Sequence, residues 1–471
     1  MQAIAVDDLI AATGGVPHGL PRQLTSISRI EIDSRKVQPG DLFWALPGLH
    51  HDGHNFLQQA FDNGAVAAVV QSGRCHATHI IEVPESLQAL WDFSRSYRNS
   101  FDSLIIGVTG SVGKTTTRRM IQSVLSARFQ GIESPYNYNN EFGVPLSLLQ
   151  LEEDHDFAVI ELAAAHPGEI ATLTDIARPE MGVITAIGPS HLEGFENIEN
   201  IVNTKAALIE MLPPEGFAVL NGDDRNLRKI AERASCPFVL VGEKKHNDLI
   251  AEEVNVGNRG ITFLMNGSDF QVPAIGRHHI TSALIAIAIG RQVGMSDDEI
   301  KLGLQSFVSV PGRCALKTIG PWTVIDDTYN ANPVSMSAAC RLLKDWQTDS
   351  KRILLAGDML ALGAWTEDFH QLLGEEVTRS KIDRVIAFGS QAACVARSAR
   401  KHGMDAGCLG ATRDQEIATM LLDLWLEPGD VILVKGSRGM KMESFLPKIE
   451  QLACGHTRPV PDTDHSHRKV A

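Results

Sequence analysis

Thr109-Gly110-Ser111-Val112-Gly113-Lys114-Thr115-Thr116 places two glycines, a lysine and several hydroxyls at a spacing suited to a phosphate group. The glycines let backbone N–H groups approach an anion, Lys114 adds a point charge, and the Thr115 hydroxyl is a ligand for Mg²⁺. The strict eight-residue phosphate-loop pattern needs a glycine where this chain has Val108. The surroundings make up for it. Residues 104–108 are apolar and read as a buried parallel strand, and Met120, Ile121, Val124 and Leu125 recur at helical spacing over 118–129. Strand, glycine loop, Lys-Thr and helix predict a site for ATP or GTP, without naming a reaction.

Two further polar residues fall at the ends of apolar stretches. Glu161 closes residues 157–160, and His191 follows residues 181–185. Ligands of an open parallel sheet sit beyond the carboxyl ends of its strands, so Lys114, Glu161 and His191 are expected at one crevice. A carboxylate beside a triphosphate serves Mg²⁺, since unmetallated it would repel the phosphates. Taken singly, Glu161 would read as a solvated or capping glutamate and His191 as a surface histidine. Lys205 is the fourth candidate. Ile198, Ile201, Val202, Lys205, Leu208, Ile209 and Leu212 form one face of a helix, with the lysine in mid-stripe. Its ammonium either snorkels to water or is desolvated. In the second case its pKa falls, and the neutral amine can add CO₂ to become a carbamate, an acidic metal ligand.

The elements that must position these residues are bounded by composition. A length of 471 residues predicts about three domains. With 44% hydrophobic and 21% charged residues the chain has ample core. A net charge of −14 argues against nucleic acid as a partner. Seven scattered cysteines without CxxC spacing read as reduced thiols. The acidic N-terminus lacks the basic start of a signal peptide, and the longest apolar run, 283–289, is too short to span a bilayer. A cytoplasmic enzyme is expected.

Along the chain, residues 1–102 form a small α/β segment and residues 103–314 a central series of alternating strands and helices. From 315 a second α/β series begins, with strands over 323–326, 352–356, 384–388 and 431–434, each followed by a helix. Asn332-Pro333 is a helix start, with Asn as N-cap and Pro in the first turn. Polar residues again cluster at strand ends: Asp327 and Asn330, Asp358, and Lys435, Ser437 and Arg438. No Gly-x-Gly-x-x-Gly follows these strands, which argues against a dinucleotide site. The tail from about 455, with His456, His465 and His467, is expected to fray rather than to bind metal. The fold class is thus α/β in three domains: a small N-terminal domain (1–102), a central P-loop parallel-sheet ATPase domain (103–314) and a Rossmann-like C-terminal domain (315–471).

The motifs together resemble the ATP-dependent muramyl peptide ligases, over roughly residues 28–450. They include Asp33-Ser34-Arg35, the loop from Thr109 to Thr115, Asn139-Asn140 with Gly143-Val144-Pro145, His191-Leu192-Glu193, Lys205 and Pro311-Gly312-Arg313. The stretches Asp326-Asp327-Thr328-Tyr329-Asn330-Ala331-Asn332, Gly357-Asp358-Met359 and Lys435-Gly436-Ser437-Arg438 belong to the same set. By resemblance, the last three point within that family to members that join D-alanyl-D-alanine to UDP-N-acetylmuramoyl-tripeptide in peptidoglycan precursor synthesis, which is the activity expected here. The resemblance implies a reaction through an acyl phosphate, with Lys114 on the β- and γ-phosphates. Thr115 and Glu161 would share Mg²⁺, with His191 and a carbamylated Lys205 at a second Mg²⁺. It further implies that Asn140, His279, Arg313, Asp327 and Asn330 contact nucleotide. Ser34 and Arg35 would bind the UDP part, and Asp358, Lys435, Ser437 and Arg438 substrate, in a monomer whose C-terminal domain closes on the site. The chain departs from the family pattern at His279, Ser282 and Ala186, where Asn is common, at Ala361, and in Glu161-Leu162-Ala163-Ala164-Ala165-His166. Two alternatives stay open: another amide ligase of this architecture, such as a folylpolyglutamate synthetase-like enzyme, or a nucleotide-binding homologue with weakened turnover.

Overall fold

The computed structural model describes residues 1–48 and 51–456. Its central layer is a seven-stranded sheet in which every pairing is parallel. In spatial order the strands are Leu249–Ile250, Phe238–Gly242, Phe217–Asn221, Met181–Ile184, Leu104–Thr109, Phe157–Glu161 and Gly131–Glu133. The three that carry the chemistry are adjacent in the middle, where both faces are covered. That position explains why they read as continuous apolar runs rather than alternating ones. One face packs against the helices Glu169–Ala177 and Ile198–Glu210 and against the N-terminal domain. The other packs against the helix Lys114–Leu125 and the helix His279–Gln292, whose residues 283–289 are all buried.

An antiparallel sheet of Glu252–Gly257, Gly260–Met265 and Ser268–Val272 caps this second face. It interrupts the alternation expected for the central segment. Its second turn is Asn266-Gly267, both at positive φ, a tight hairpin connection.

The N-terminal domain is a five-stranded sheet, parallel except for Val16–His18. Its helix Ser86–Arg98 docks on the central domain. Trp91 Nε1 donates to the Glu141 carbonyl at 2.8 Å, Tyr97 Oη donates to the Leu151 carbonyl at 2.5 Å, and Arg95 and Arg98 pair with Asp175 and Glu180. The C-terminal sheet runs Ala315–Ile319, Trp322–Asp327, Val431–Lys435, Arg352–Gly357, Arg384–Phe388 and Leu409–Thr412. Five strands are parallel, and Ala315–Ile319 joins as an antiparallel edge. This edge strand and Leu409–Thr412 were not anticipated. Asn332 caps the helix Pro333–Asp345 in a capping box with Ser335, as Asn332-Pro333 predicts. The last helix runs Phe445–His456, past the expected onset of fraying. Residues 457–471, with His465 and His467, lie outside the described residues.

Candidate active site

The strand Leu104–Thr109 delivers the chain into the glycine loop, and the helix begins at Lys114, one turn earlier than its apolar periodicity indicates. The loop is stitched to the segment after the neighbouring strand. Ser111 N–H donates to the Ala186 carbonyl at 2.8 Å, Ser111 Oγ to the Gly188 carbonyl at 2.9 Å, and Thr185 Oγ1 to the Val112 carbonyl at 2.5 Å. Gly110 has φ +151°, and a Cβ there would lie 2.0 Å from Thr185 Oγ1, so no other residue fits. Lys114 Nζ donates to the Gly110 carbonyl at 2.8 Å, and burial lowers its pKa.

The strand Phe157–Glu161 ends with Glu161 buried beside this loop. Its carboxylate accepts from Thr115 Oγ1 at 2.9 Å and from Asn139 Nδ2 at 2.9 Å, with Arg118 at 3.5 Å. Asn139, rather than Asn140, is the asparagine that reaches the strand end. Asn140 Oδ1 accepts from Gly143 N–H at 3.0 Å. His191 adopts φ +50° before the short helix Leu192–Phe195. Burial, then the positive charges of Lys114 and Lys205, lower its pKa and favour the neutral imidazole.

Lys205 is 2% exposed, one of the largest fully buried side chains, and makes no hydrogen bond or ion pair among the described residues. Its ammonium does not reach water, so the snorkelling alternative is excluded. Burial, then Lys114, push its pKa down to about 7. Half the amine is then neutral at pH 7.

Beyond the glycine loop lies a cavity of about 460 Å³ between the central and C-terminal sheets. Its lining includes Ser111, Val112, Gly113, Lys114, Thr115, Thr116, His191 and His279 from one side, and Arg313, Asp327, Asn330, Lys435, Ser437 and Arg438 from the other. Arg313 Nη2 stands 3.5 Å from Thr115 Oγ1, stacks over Tyr329 at 4.1 Å, and leaves Nε buried without a partner. Lys435 Nζ is paired with Asp327 Oδ2 at 2.6 Å and donates to the Asn330 carbonyl at 2.9 Å, in an almost fully buried contact. Asn332, in the sequence a helix cap and the end of the family stretch that starts at Asp326, donates from Nδ2 to the Ser111 carbonyl at 3.3 Å and bridges the two domains. Ser282, at a family asparagine position, bonds Thr117 Oγ1 of the loop helix at 2.8 Å.

Eight candidates do not line the cavity: Glu161 and Lys205, described above, and Ser34, Arg35, Thr109, Gly110, Asn140 and Asp358. Asp358 accepts from Ser390 N–H at 2.6 Å, Ser390 Oγ at 2.8 Å and Gln391 N–H, which satisfies the backbone ahead of the helix Ala392–Lys401. Its carboxylate is held by these groups and does not line the cavity. Asn140 has its local role above. Ser34 Oγ donates to Gln59 Oε1 at 2.7 Å and Arg35 pairs with Asp33, both in the N-terminal domain. Thr109 and Gly110 lie beneath the loop, Thr109 buried with its Oγ1 unpartnered.

Three family models match in register with these units: the Mur ligase family catalytic domain over residues 26–92, the Mur ligase middle domain over 108–290, and the Mur ligase glutamate ligase domain over 312–438. A Bacillus subtilis relative, a UDP-N-acetylmuramoyl-tripeptide–D-alanyl-D-alanine ligase, is 34% identical over 433 residues, covering 90% of this chain and 93% of the relative. The chain belongs to the Mur ligase family. An Escherichia coli Mur ligase of the same name is 32% identical over 90% of this chain and 94% of its own length. Among solved structures, MurF from Acinetobacter baumannii superposes with a TM-score of 0.88 at 30% identity, over 96% of this chain and 99% of that one. MurF from Thermotoga maritima in complex with ADP gives 0.79 at 28% identity, over 91% and 98%. Folylpolyglutamate synthase from Mycobacterium tuberculosis, at 18% identity over 77% of this chain and 94% of that one with a TM-score of 0.61, shares the fold alone.

Proposed function

We propose that this Mur ligase uses ATP to join D-alanyl-D-alanine to UDP-N-acetylmuramoyl-tripeptide, giving the UDP-linked pentapeptide, ADP and phosphate in peptidoglycan precursor synthesis. The reaction class rests on one observation above the others. Arg313, at the junction with the C-terminal domain, reaches Thr115 of the phosphate loop, and Asp327, Asn330 and Lys435 of that domain line the same cavity, so the phosphates and the group that receives them meet between two domains. The choice of substrates rests on relatives of that name matched over nine-tenths of the chain.

A carboxylate is a poor electrophile. Transfer of the γ-phosphoryl group to the tripeptide's terminal carboxylate makes an acyl phosphate, with ADP leaving. The dipeptide amine then attacks the acyl carbon, a tetrahedral intermediate forms, and the C–O bond to phosphate breaks. Several anionic groups crowd together during these steps. Lys114 and Arg313 hold phosphate oxygens, and the N–H groups opening the helix Lys114–Leu125 point at the same charge. Lys435 is neutralised by Asp327, so its first task is to fix the Asp327–Asn330 segment, with Ser437 and Arg438, against substrate.

The donors fit a hard divalent cation: Thr115 Oγ1 and Glu161 Oε2 are oxygen ligands 2.9 Å apart beside the phosphate loop. They would hold Mg²⁺, and His191 with a carbamylated Lys205 would hold a second. The ion, when bound, offsets charge on the β- and γ-phosphate oxygens. The carbamate draws support from the burial and lowered pKa of Lys205, which supply a neutral amine able to add CO₂ with loss of a proton. Ser34 and Arg35 are assigned to the UDP end, in a separate domain spanning 1–102, with 103–314 and 315–471 as the other two. All seven cysteines are free, as a reducing cytoplasm favours, and no helix among the described residues is long and apolar enough to cross a membrane. Phosphate release from ATP with UDP-N-acetylmuramoyl-tripeptide, with and without D-alanyl-D-alanine, tests the reading. Release that depends on the dipeptide is expected, and release indifferent to it would refute the substrate assignment.

A further inference from the structure

His278, His279 and Cys314 meet where the central domain hands over to the C-terminal domain. One nitrogen of each imidazole and the Cys314 sulfur lie within 4.8 Å of one another. Cys314 Sγ is 3.7 Å from His278 Nε2. A tetrahedral zinc ion, with Zn–S about 2.3 Å and Zn–N about 2.05 Å, sets its sulfur and nitrogen ligands about 3.6 Å apart. The pair therefore needs almost no movement to share an ion. His279 Nδ1 donates to the Ile275 carbonyl at 2.7 Å, which fixes the ring and leaves Nε2 with its lone pair. That arrangement is the usual outer support of a metal-bound histidine. The cluster is also held open by its backbone. A Cβ on Gly276, at φ +93°, would lie 2.6 Å from His278 Cε1, and Cys314 itself sits at φ +51°. His279 and Cys314 are buried, while His278 is exposed and offers a path of entry.

We propose that His278, His279 and Cys314 form a binding site for a thiophilic divalent ion, Zn²⁺ being the best match, with its fourth position open to the cavity. Imidazole and thiolate favour such an ion over Mg²⁺, which Glu161 and Thr115 suit instead. In the metal-free protein burial and Asp327 keep the Cys314 thiol protonated, and coordination releases that proton to solvent. The ion would join the start of the helix His279–Gln292 to the residue preceding the strand Ala315–Ile319. It thereby clips the junction with the C-terminal domain, of which Cys314 is the last central residue, and slows a cycle in which that junction moves.

The test uses the full chain without nucleotide, in excess Mg²⁺. Titrated Co²⁺ is expected to bind one equivalent with a thiolate-to-cobalt charge-transfer band that Zn²⁺ bleaches. Cys314→Ser should abolish the band, and His278→Ala, at an exposed position, should weaken Co²⁺ binding at least tenfold. Absence of the band, or affinity unchanged in His278→Ala, overturns the site. A second arm rests on the ligase reading: Zn²⁺ should inhibit phosphate release, with the half-inhibiting concentration at least tenfold higher in His278→Ala. Equal inhibition of both proteins while the cobalt arm succeeds would overturn the clip and leave the ligase reading untouched.

Discussion

Replacing Lys205 with methionine should stabilise the fold near neutral pH while it abolishes turnover. The side chain is 2% exposed and its pKa falls from 10.5 to about 7, chiefly through burial. That difference corresponds to about 5 kcal/mol of unfavourable charging in the native state. The sign follows from proton counting. Between pH 7 and 10.5 the unfolded chain holds a proton on this lysine that the folded chain has lost, so wild-type stability rises with pH across that window. At pH 6 the full cost of about 5 kcal/mol applies, and at pH 9 about 2 kcal/mol remains. Methionine fills similar volume without the charge. The variant should therefore exceed wild type by a few kcal/mol at pH 6.5 and by clearly less at pH 9. Urea unfolding of both proteins in degassed, CO₂-free and Mg²⁺-free buffer measures this directly. If Lys205→Met gains nothing at pH 6.5, or its gain does not shrink as pH rises, Lys205 is not desolvated as described. The physical basis for the proposed carbamate would then be gone. Turnover supplies the second half, because a more stable yet inactive protein separates a functional lysine from a structural one.

Other substitutions probe the remaining parts of the site. Lys114→Ala removes the cation of the phosphate loop and should lower kcat by about 10² to 10³, with the fold intact by circular dichroism. Glu161→Gln keeps the shape that receives Thr115 and Asn139 but removes the charge. The Mg²⁺ concentration for half-maximal activity should rise at least about tenfold, and an unchanged Mg²⁺ dependence would remove Glu161 from the metal set. Lys435→Met leaves Asp327 buried and unpaired and should cost about 3–5 kcal/mol in urea unfolding. Adding Asp327→Asn should restore part of that loss, which a purely steric effect would not allow.

The parts legible in the sequence are those with a short, local cause. The glycine loop, the strand-end Glu161 and the lysine in an apolar helical stripe follow from spacing alone. The structure brings Lys114 and Glu161 together through adjacent parallel strands. The first turn of the loop helix was missed because Lys114, Thr115, Thr116 and Thr117 carry no apolar periodicity; the loop fixes that turn. The sheet spanning 252–272 was also missed, although Asn266-Gly267 is a hairpin signal, because the surrounding helix–strand alternation suggested parallel units. Asn139 and Asn140 are indistinguishable in sequence, and only the turn at Gly143 decides which one faces Glu161. Asp358 has the same strand-end signature as Glu161. What separates them is the neighbouring backbone: Ser390 and Gln391 N–H groups absorb one carboxylate, whereas the other faces a threonine hydroxyl beside the phosphate loop. Cross-domain contacts such as Asn332 with Ser111 join residues 221 positions apart, and no local pattern encodes them.

The central claim is that the cavity activates a carboxylate by phosphorylating it. Tripeptide substrate labelled with ¹⁸O in its terminal carboxylate, turned over with ATP and D-alanyl-D-alanine, tests this most directly. An acyl phosphate requires one carboxylate oxygen to leave with the phosphate, so the released phosphate should carry one ¹⁸O. Unlabelled phosphate accompanying amide formation would contradict the account.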